Sequence, residues 1–403
     1  MTTTTDTPRR GGGRALALAF MAAIIEGFDL QSAGVAAPKL IPAFGLQPNQ
    51  VGLFFSAATF GLIFGSLLGG RTSDAWGRRT ALILAMLTFG AFSIGTAMVS
   101  SFGQLLAMRF LTGVGLGGAL PILVTIAAES CAPQYRGRAV AIMYAGVPLG
   151  GAVASGVAMS GLHGGDWHMI FLVGGILPLL LAPVLRLMLP PLRVPAREET
   201  GMTGALGQIF APAALPVTAM LWVSFFLGLI VVYALLNWMP QLLVARGLSR
   251  PEASTVQVLF NIGGIVGSIV GGRMLDRDNP LLTVAGCFAA AAAALLMLAL
   301  LPASVAGMLV GGTLVGGAIL CIQSILYGIA PRCYPTAIRG TGVGVAVGVG
   351  RFGSITGPLL AGAVVASGAG PEGVMYTLVP VTLIAGLATV FLLMRRRGAP
   401  ALV

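Results

Sequence analysis

AAIIEGFDLQSAG, residues 22–34, puts two carboxylates inside an apolar run long enough to cross a bilayer. Glu26 and Asp29 are three apart, so on a helix they share a face, with Cβ atoms roughly 5–6 Å from each other. Leaving an ionised carboxylate at mid-membrane costs at least about 2.5–3.5 kcal/mol, so such residues face an interior and mark an ion or substrate path. Two together point to proton handling, because a crowded, desolvated couple can load a proton on one side and release it on the other. A plainer alternative stays open: one or both pair with a buried Arg for structure alone.

The rest of the chain makes the membrane reading secure. Of 403 residues, 57% are hydrophobic and only 9% charged, where a soluble domain has about a quarter charged; the mean hydropathy is +0.95. The 59 glycines and 24 prolines suit transmembrane helices, which pack closely through small residues and tolerate proline. Cys131, Cys287, Cys321 and Cys333 show no zinc or redox spacing, so no metal or cofactor is expected and packing is their default role. The basic start MTTTTDTPRRGGGR runs into an apolar stretch without a cleavage site and reads as a tail rather than a leader.

Windows of about 20 apolar residues fall at 14–40, 50–70, 80–99, 103–128, 138–161 and 168–189. After a polar insert they resume at 215–242, 252–272, 281–301, 304–329, 338–366 and 373–394. The expected fold is therefore an all-α membrane protein of 12 transmembrane helices in two six-helix, pseudo-symmetric bundles. The boundaries follow: a tail over 1–13, a first bundle over 14–189, a linker over 190–212, a second bundle over 213–394 and a tail over 395–403. With both termini in the cytoplasm, 18 of the 23 basic residues face that side, Lys39, Arg246 and Arg250 face the other, and Arg109 and Arg351 lie within spans. That bias satisfies the positive-inside rule and accounts for the +11 net charge without nucleic acid.

The halves also repeat. Gly70-x-x-x-Asp74, followed by Gly77-Arg78-Arg79, comes back 202 residues on as Gly272-x-x-x-Asp276-Arg277. Pro133-x-x-Arg136-Gly137 comes back as Pro335-x-x-x-Arg339-Gly340, with the Arg-Gly pairs 203 apart. Parallel six-helix repeats of this kind imply a pseudo-two-fold axis along the membrane normal and a binding site near the midplane.

At these residues the chain resembles the major facilitator superfamily of secondary transporters, over essentially its whole length. GGRTSDAWGRR is similar to the family's loop between helices two and three, with Ala75 where an Arg is usual; AESCAPQYRGRA and APRCYPTAIRGTG resemble its charge-relay motifs. Within the superfamily, EGFDLQSAG, RFLTGVGLGGALP, MYAGVPLGG and VGVGRFGSITGPLLAG resemble the aromatic acid:proton symporters, as do YALLNWMP and QSILYGIAP. Glu26 replaces the first Asp of that family's acidic motif; Asp29 matches the second.

The resemblance implies residue roles. Arg109, heading a glycine-rich stretch of span four, is tied to proton coupling with Glu26 and Asp29; a guanidinium there naturally pairs with one of the two acids. Asp74, Arg78 and Arg79, with Glu129, Arg136, Asp276 and Arg339, are expected to form a gating network on the cytoplasmic side. A substrate carboxylate needs a cation, and Arg offers a two-pronged donor, so Arg351 or Arg109 is the candidate. Helices that usually line the cavity in this fold nominate Gln31, Tyr233, Asn237, Trp238, Gln323 and Tyr327, with Tyr144 of span five as a secondary candidate. Trp238 has an alternative role as an interfacial anchor. His163 and His168 fall in an outer loop and read as solvated.

The function expected is a proton-coupled importer of an aromatic carboxylate, of the hydroxyphenylpropionate or hydroxybenzoate kind, acting by alternating access in a bacterial inner membrane as a monomer. Its partners are the aromatic acid, protons and lipid. Efflux by proton antiport, suggested by the GVPLGG stretch, is the first rival, and a ligand sensor without turnover the second. No nucleophile–base set is visible, so an enzyme is not expected.

Overall fold

A computed structural model describes residues 12–132, 135–159, 166–190, 207–212, 214–274, 280–302, 304–335 and 338–398; at 74, 280, 339, 340 and 396–398 only the backbone is described. Among these residues there is no strand. Twelve helical segments are long and apolar enough to cross a membrane. They form thirteen helices: α1 (Gly12–Phe44), α2 (Pro48–Trp76), α3 (Arg78–Thr96), α4 (Phe102–Glu129), α5 (Arg136–Tyr144), α6 (Gly146–Met159), α7 (Trp167–Met188), α8 (Leu215–Ala245), α9 (Arg250–Met274), α10 (Pro280–Leu300), α11 (Val305–Ile329), α12 (Arg339–Ala366) and α13 (Gly370–Gly398). The extra helix arises because the fifth span is broken at Ala145. Pro148 has no N–H for the Tyr144 carbonyl four residues back, and its ring crowds that turn.

Packing groups the chain into two units, Met1–Phe44 with Ala57–Ala196, and Gly45–Ser56 with Arg197–Val403. The first turns of α2 thus belong with the second unit, away from the boundary that the hydropathy suggests. The reason is specific contact: Ser56 donates to the Ile355 carbonyl at 2.8 Å, and Phe55 meets Trp238 edge-on at 5.4 Å. The polar insert falls largely outside the described residues.

In the first unit α1 packs on α6 and α7, and α3 on α4 and α7. In the second, α8 packs on α12 and α13, and α10 on α11 and α13, which is the same scheme repeated. A third pairing shows why. Side chains at Gly61, Gly65 and Gly69 of α2 would collide with the α4 backbone at Phe110, Val114 and Gly118. Gly263, Gly267 and Gly271 of α9 stand likewise against α11 at Thr313, Gly317 and Cys321. Without water as a driving force between helices in lipid, such backbone-to-backbone approach supplies the contact. The two ladders lie 202 residues apart, the offset of the loop motifs.

Candidate functional site

Asp29 sits in mid-α1 and is wholly buried. Arg109, seven residues into α4, is 1% exposed and reaches it: Nη1 stands 3.3 Å from Asp29 Oδ2. Asp29 is one of the two acids that the sequence offers Arg109. Ser93 of α3 donates to Asp29 Oδ1 at 2.7 Å and also contacts the Phe171 carbonyl of α7 at 3.1 Å. Ser32, one turn after Asp29, donates to the Asp29 carbonyl at 2.7 Å. Arg109 approaches that same carbonyl and the Ser32 hydroxyl, each at 3.5 Å. Its Cζ lies 5.4 Å from the centre of the Phe171 ring, a cation–π contact worth about 2 kcal/mol when desolvated. Gly174 of α7 keeps the space open, since a Cβ there would come within 3.3 Å of Asp29 Oδ1.

Four helices therefore converge on one charge pair. Glu26, one turn before Asp29, is also buried, at 1% exposure. The fit is loose for so dry a place: the guanidinium-to-carboxylate contact is long for a charge-assisted bond, whose usual length is about 2.7–2.9 Å, and Arg109 Nε has no hydrogen-bond partner among the described residues. Ser93, Ser32, Phe171 and Gly174 were not legible as site residues, because hydroxyls, rings and glycines are ordinary in membrane helices; only the spacing of Ser32 from Asp29 carried a signal.

In the second unit Arg351 of α12 is half-buried, and its Nη1 donates to the Tyr233 hydroxyl of α8 at 3.0 Å. These two candidates come together. Asn237 turns its amide back to the Tyr233 carbonyl at 2.9 Å. The Trp238 indole is 2% exposed and donates to the Pro358 carbonyl at 3.0 Å, so it ties α8 to α12 and is no interfacial anchor. Tyr327 stacks edge-on with Phe225 at 5.3 Å. Gln323 is 7% exposed, and neither amide atom has a hydrogen-bond partner among the described residues. It lines a small cavity with Gly228, Phe288 and Thr382. In the first unit Gln31 is buried against Gly151 of α6, and Tyr144 packs beside the apolar core.

At the other candidates, Glu129 forms an ion pair with Arg78, while Arg136 is exposed. Arg79 donates to the Leu189 carbonyl at 3.3 Å. The side chains of Asp74 and Arg339, all of Asp276, and His163 lie outside the described residues. His168 is half-exposed and meets Asp166 Oδ1 at 2.6 Å. Slight burial pushes the Asp166 carboxyl up, but the hydrogen bonds from His168 outweigh it and hold the group below its ordinary value. Among the described residues no set of three or more His, Cys, Asp or Glu side chains could hold a metal ion.

A family profile described as Major Facilitator Superfamily matches residues 19–355 and 245–402. The 3-(3-hydroxy-phenyl)propionate transporter of Escherichia coli K12 is 41% identical over 98% of this chain and 98% of its own length. The gallate transporter of Pseudomonas putida is 32% identical over 88% of this chain and 86% of its length. The 4-hydroxybenzoate transporter PcaK of Pseudomonas aeruginosa is 32% identical over 95% and 92%. Among solved structures, a bacterial homolog to the human lysosomal transporter Spinster superposes with a TM-score of 0.78 at 18% identity, covering 98% of both chains. A D-xylose-proton symporter gives 0.74 at 18% identity, over 96% and 97%.

Proposed function

Because the chain belongs to the major facilitator superfamily and is a multi-pass membrane transporter rather than an enzyme, we propose that it imports an aromatic carboxylate together with protons by alternating access. The substrate class rests on the relatives, which are named for hydroxyphenylpropionate, gallate and 4-hydroxybenzoate. The setting is a bacterial inner membrane with both termini cytoplasmic, and the working unit a monomer.

The observation that carries the coupling is the buried Asp29–Arg109 pair. Protonating Asp29 cancels its charge and leaves the Arg109 cation without its counter-ion in a dry interior. Removing one partner of such a pair is worth about 3–5 kcal/mol, enough to drive Arg109 toward another anion. Proton arrival is thereby converted into movement of a charged side chain. Glu26, one turn away, is the second proton carrier, and Arg351 with Tyr233 holds the substrate carboxylate in the second unit. Arg78, Arg79 and Glu129, with Asp74, Arg136, Asp276 and Arg339, act as the gate.

The direct test is uptake into proteoliposomes under an imposed inward proton gradient, with labelled 3-(3-hydroxyphenyl)propionate, gallate and 4-hydroxybenzoate. Concentrative entry of at least one, lost in Asp29→Asn, is expected. If substrate addition drove protons outward instead, the chain would be an antiporter and the import reading would fall.

A further inference from the structure

Three sulfur atoms meet inside the second unit, on side chains to which the transport reading gives no role. Cys287 Sγ of α10 lies 3.7 Å from Met274 Sδ at the end of α9 and 3.9 Å from Cys321 Sγ of α11. Both thiols are free and buried, at 9% and 7% exposure, while Met274 is half-buried. The arrangement is held by the backbone, since Gly271 lets α9 come up to Cys321 itself.

We propose that Met274, Cys287 and Cys321 form a binding site for one soft monovalent cation of the Cu(I) and Ag(I) class. Thiolate and thioether sulfurs select such ions over harder divalent ones. Taking the zinc–sulfur length of about 2.3 Å as the scale, an ion centred among three sulfurs sets them about 4.0 Å apart by the geometry of an equilateral triangle, and somewhat further for the larger Ag(I). The two sides that Cys287 makes, 3.7 Å to Met274 Sδ and 3.9 Å to Cys321 Sγ, lie near that spacing, and the entering ion draws Met274 Sδ and Cys321 Sγ to the same distance.

The charge balance also favours this class. One thiol loses its proton as the metal–sulfur bond forms, RSH + M⁺ giving RS–M + H⁺, and the second thiol and the thioether donate as neutral ligands. Nothing is oxidised or reduced. The complex is neutral, which suits an apolar interior where an unpaired charge is costly. The half-buried Met274, at the helix end, provides the route of access. The occupied site ties α9, α10 and α11 together.

The experiment uses the purified full chain in detergent, with Ag(I) as a probe that does not cycle its redox state. Titration calorimetry is expected to show one tightest Ag(I) equivalent bound per chain, resolved from weaker binding at the other thiols, with release of one proton and a raised thermal unfolding midpoint. Affinity is expected to fall at least a hundredfold in Cys287→Ser and Cys321→Ser and at least tenfold in Met274→Leu, and to persist in the Cys131→Ser/Cys333→Ser double variant. Independently of any substitution, bound Ag(I) is expected to protect Cys287 and Cys321 of the unaltered chain from maleimide labelling read by mass spectrometry. Binding that follows Cys131 and Cys333, unchanged affinity in Met274→Leu, or absence of protection would overturn the proposal. So would air-purified protein with two titratable thiols instead of four, which would make the cysteine pair a disulfide. None of these readouts depends on transport, so failure here leaves the import reading untouched.

Discussion

Asp29 and Arg109 neutralise each other where water cannot, so deleting either charge strands the other. Asp29→Asn and Arg109→Gln are each expected to lower stability, by about 3–5 kcal/mol for a lost buried partner, and to abolish accumulation. The double substitution separates structure from coupling: it is expected to regain thermal stability and still fail to concentrate substrate. A double variant that accumulated normally would reduce the pair to a structural tie. For Arg351, losing a hydrogen bond to a charged substrate group is worth about 1.5–3 kcal/mol. At about 1.4 kcal/mol per tenfold, Arg351→Ala is expected to raise the apparent KM roughly 10- to 150-fold and Arg351→Lys less; unchanged uptake kinetics in both would remove Arg351 from the site. These charged residues were legible in the sequence because ionisable groups are rare in apolar spans and their presence demands a partner. The company these two keep was not, since Ser93 and Phe171 come to Asp29 and Arg109 from other helices.

The helices are positioned by glycine more than by bulk. A side chain at Gly65 would run into the Val114 backbone, whereas the space at Gly70 is open to 4 Å. Gly65→Val is therefore expected to lower the thermal midpoint in detergent by several degrees and to reduce membrane expression, with Gly70→Val near neutral; equal behaviour of the two would deny that the α2–α4 crossing depends on backbone approach. Hydropathy revealed where the spans lie because their length is dictated by the bilayer. It could not reveal the break at Ala145, which a proline sets from within an apolar run, nor the grouping of the first turns of α2 with the second unit. A second element missed was Arg246, read only as an outward-facing charge. It donates to the Leu298 and Leu301 carbonyls at 2.7 and 2.6 Å and pairs with Glu372 at 2.9 Å, closing the end of α10 and fastening it to α13.

At the scale of the whole molecule the two-fold repetition runs deeper than the loop motifs that disclosed it. It extends to the glycine ladders and to helix starts: Ser101 caps α4 through the Gln104 N–H, and Ser304, 203 residues later, caps α11 through the Gly307 N–H. The charges break the repetition. The first half has Glu26, Asp29 and Arg109 within its spans, and the second has Arg351, opposite Pro148 when the halves are aligned. On the proposed reading, proton handling and carboxylate binding fall to different halves, and the stoichiometry depends on how many acids in the first half carry protons. One proton with one monoanion moves no net charge, so only the pH difference drives uptake. A second proton makes the cycle electrogenic and adds about 2.3 kcal/mol per 100 mV, roughly fortyfold more accumulation. With Glu26 as well as Asp29 buried, substrate is expected to evoke an inward positive current in proteoliposomes held without a pH gradient. Glu26→Gln is expected to keep pH-driven uptake and lose that current. An unaltered protein that stayed electrically silent while transporting would assign the whole coupling to a single proton.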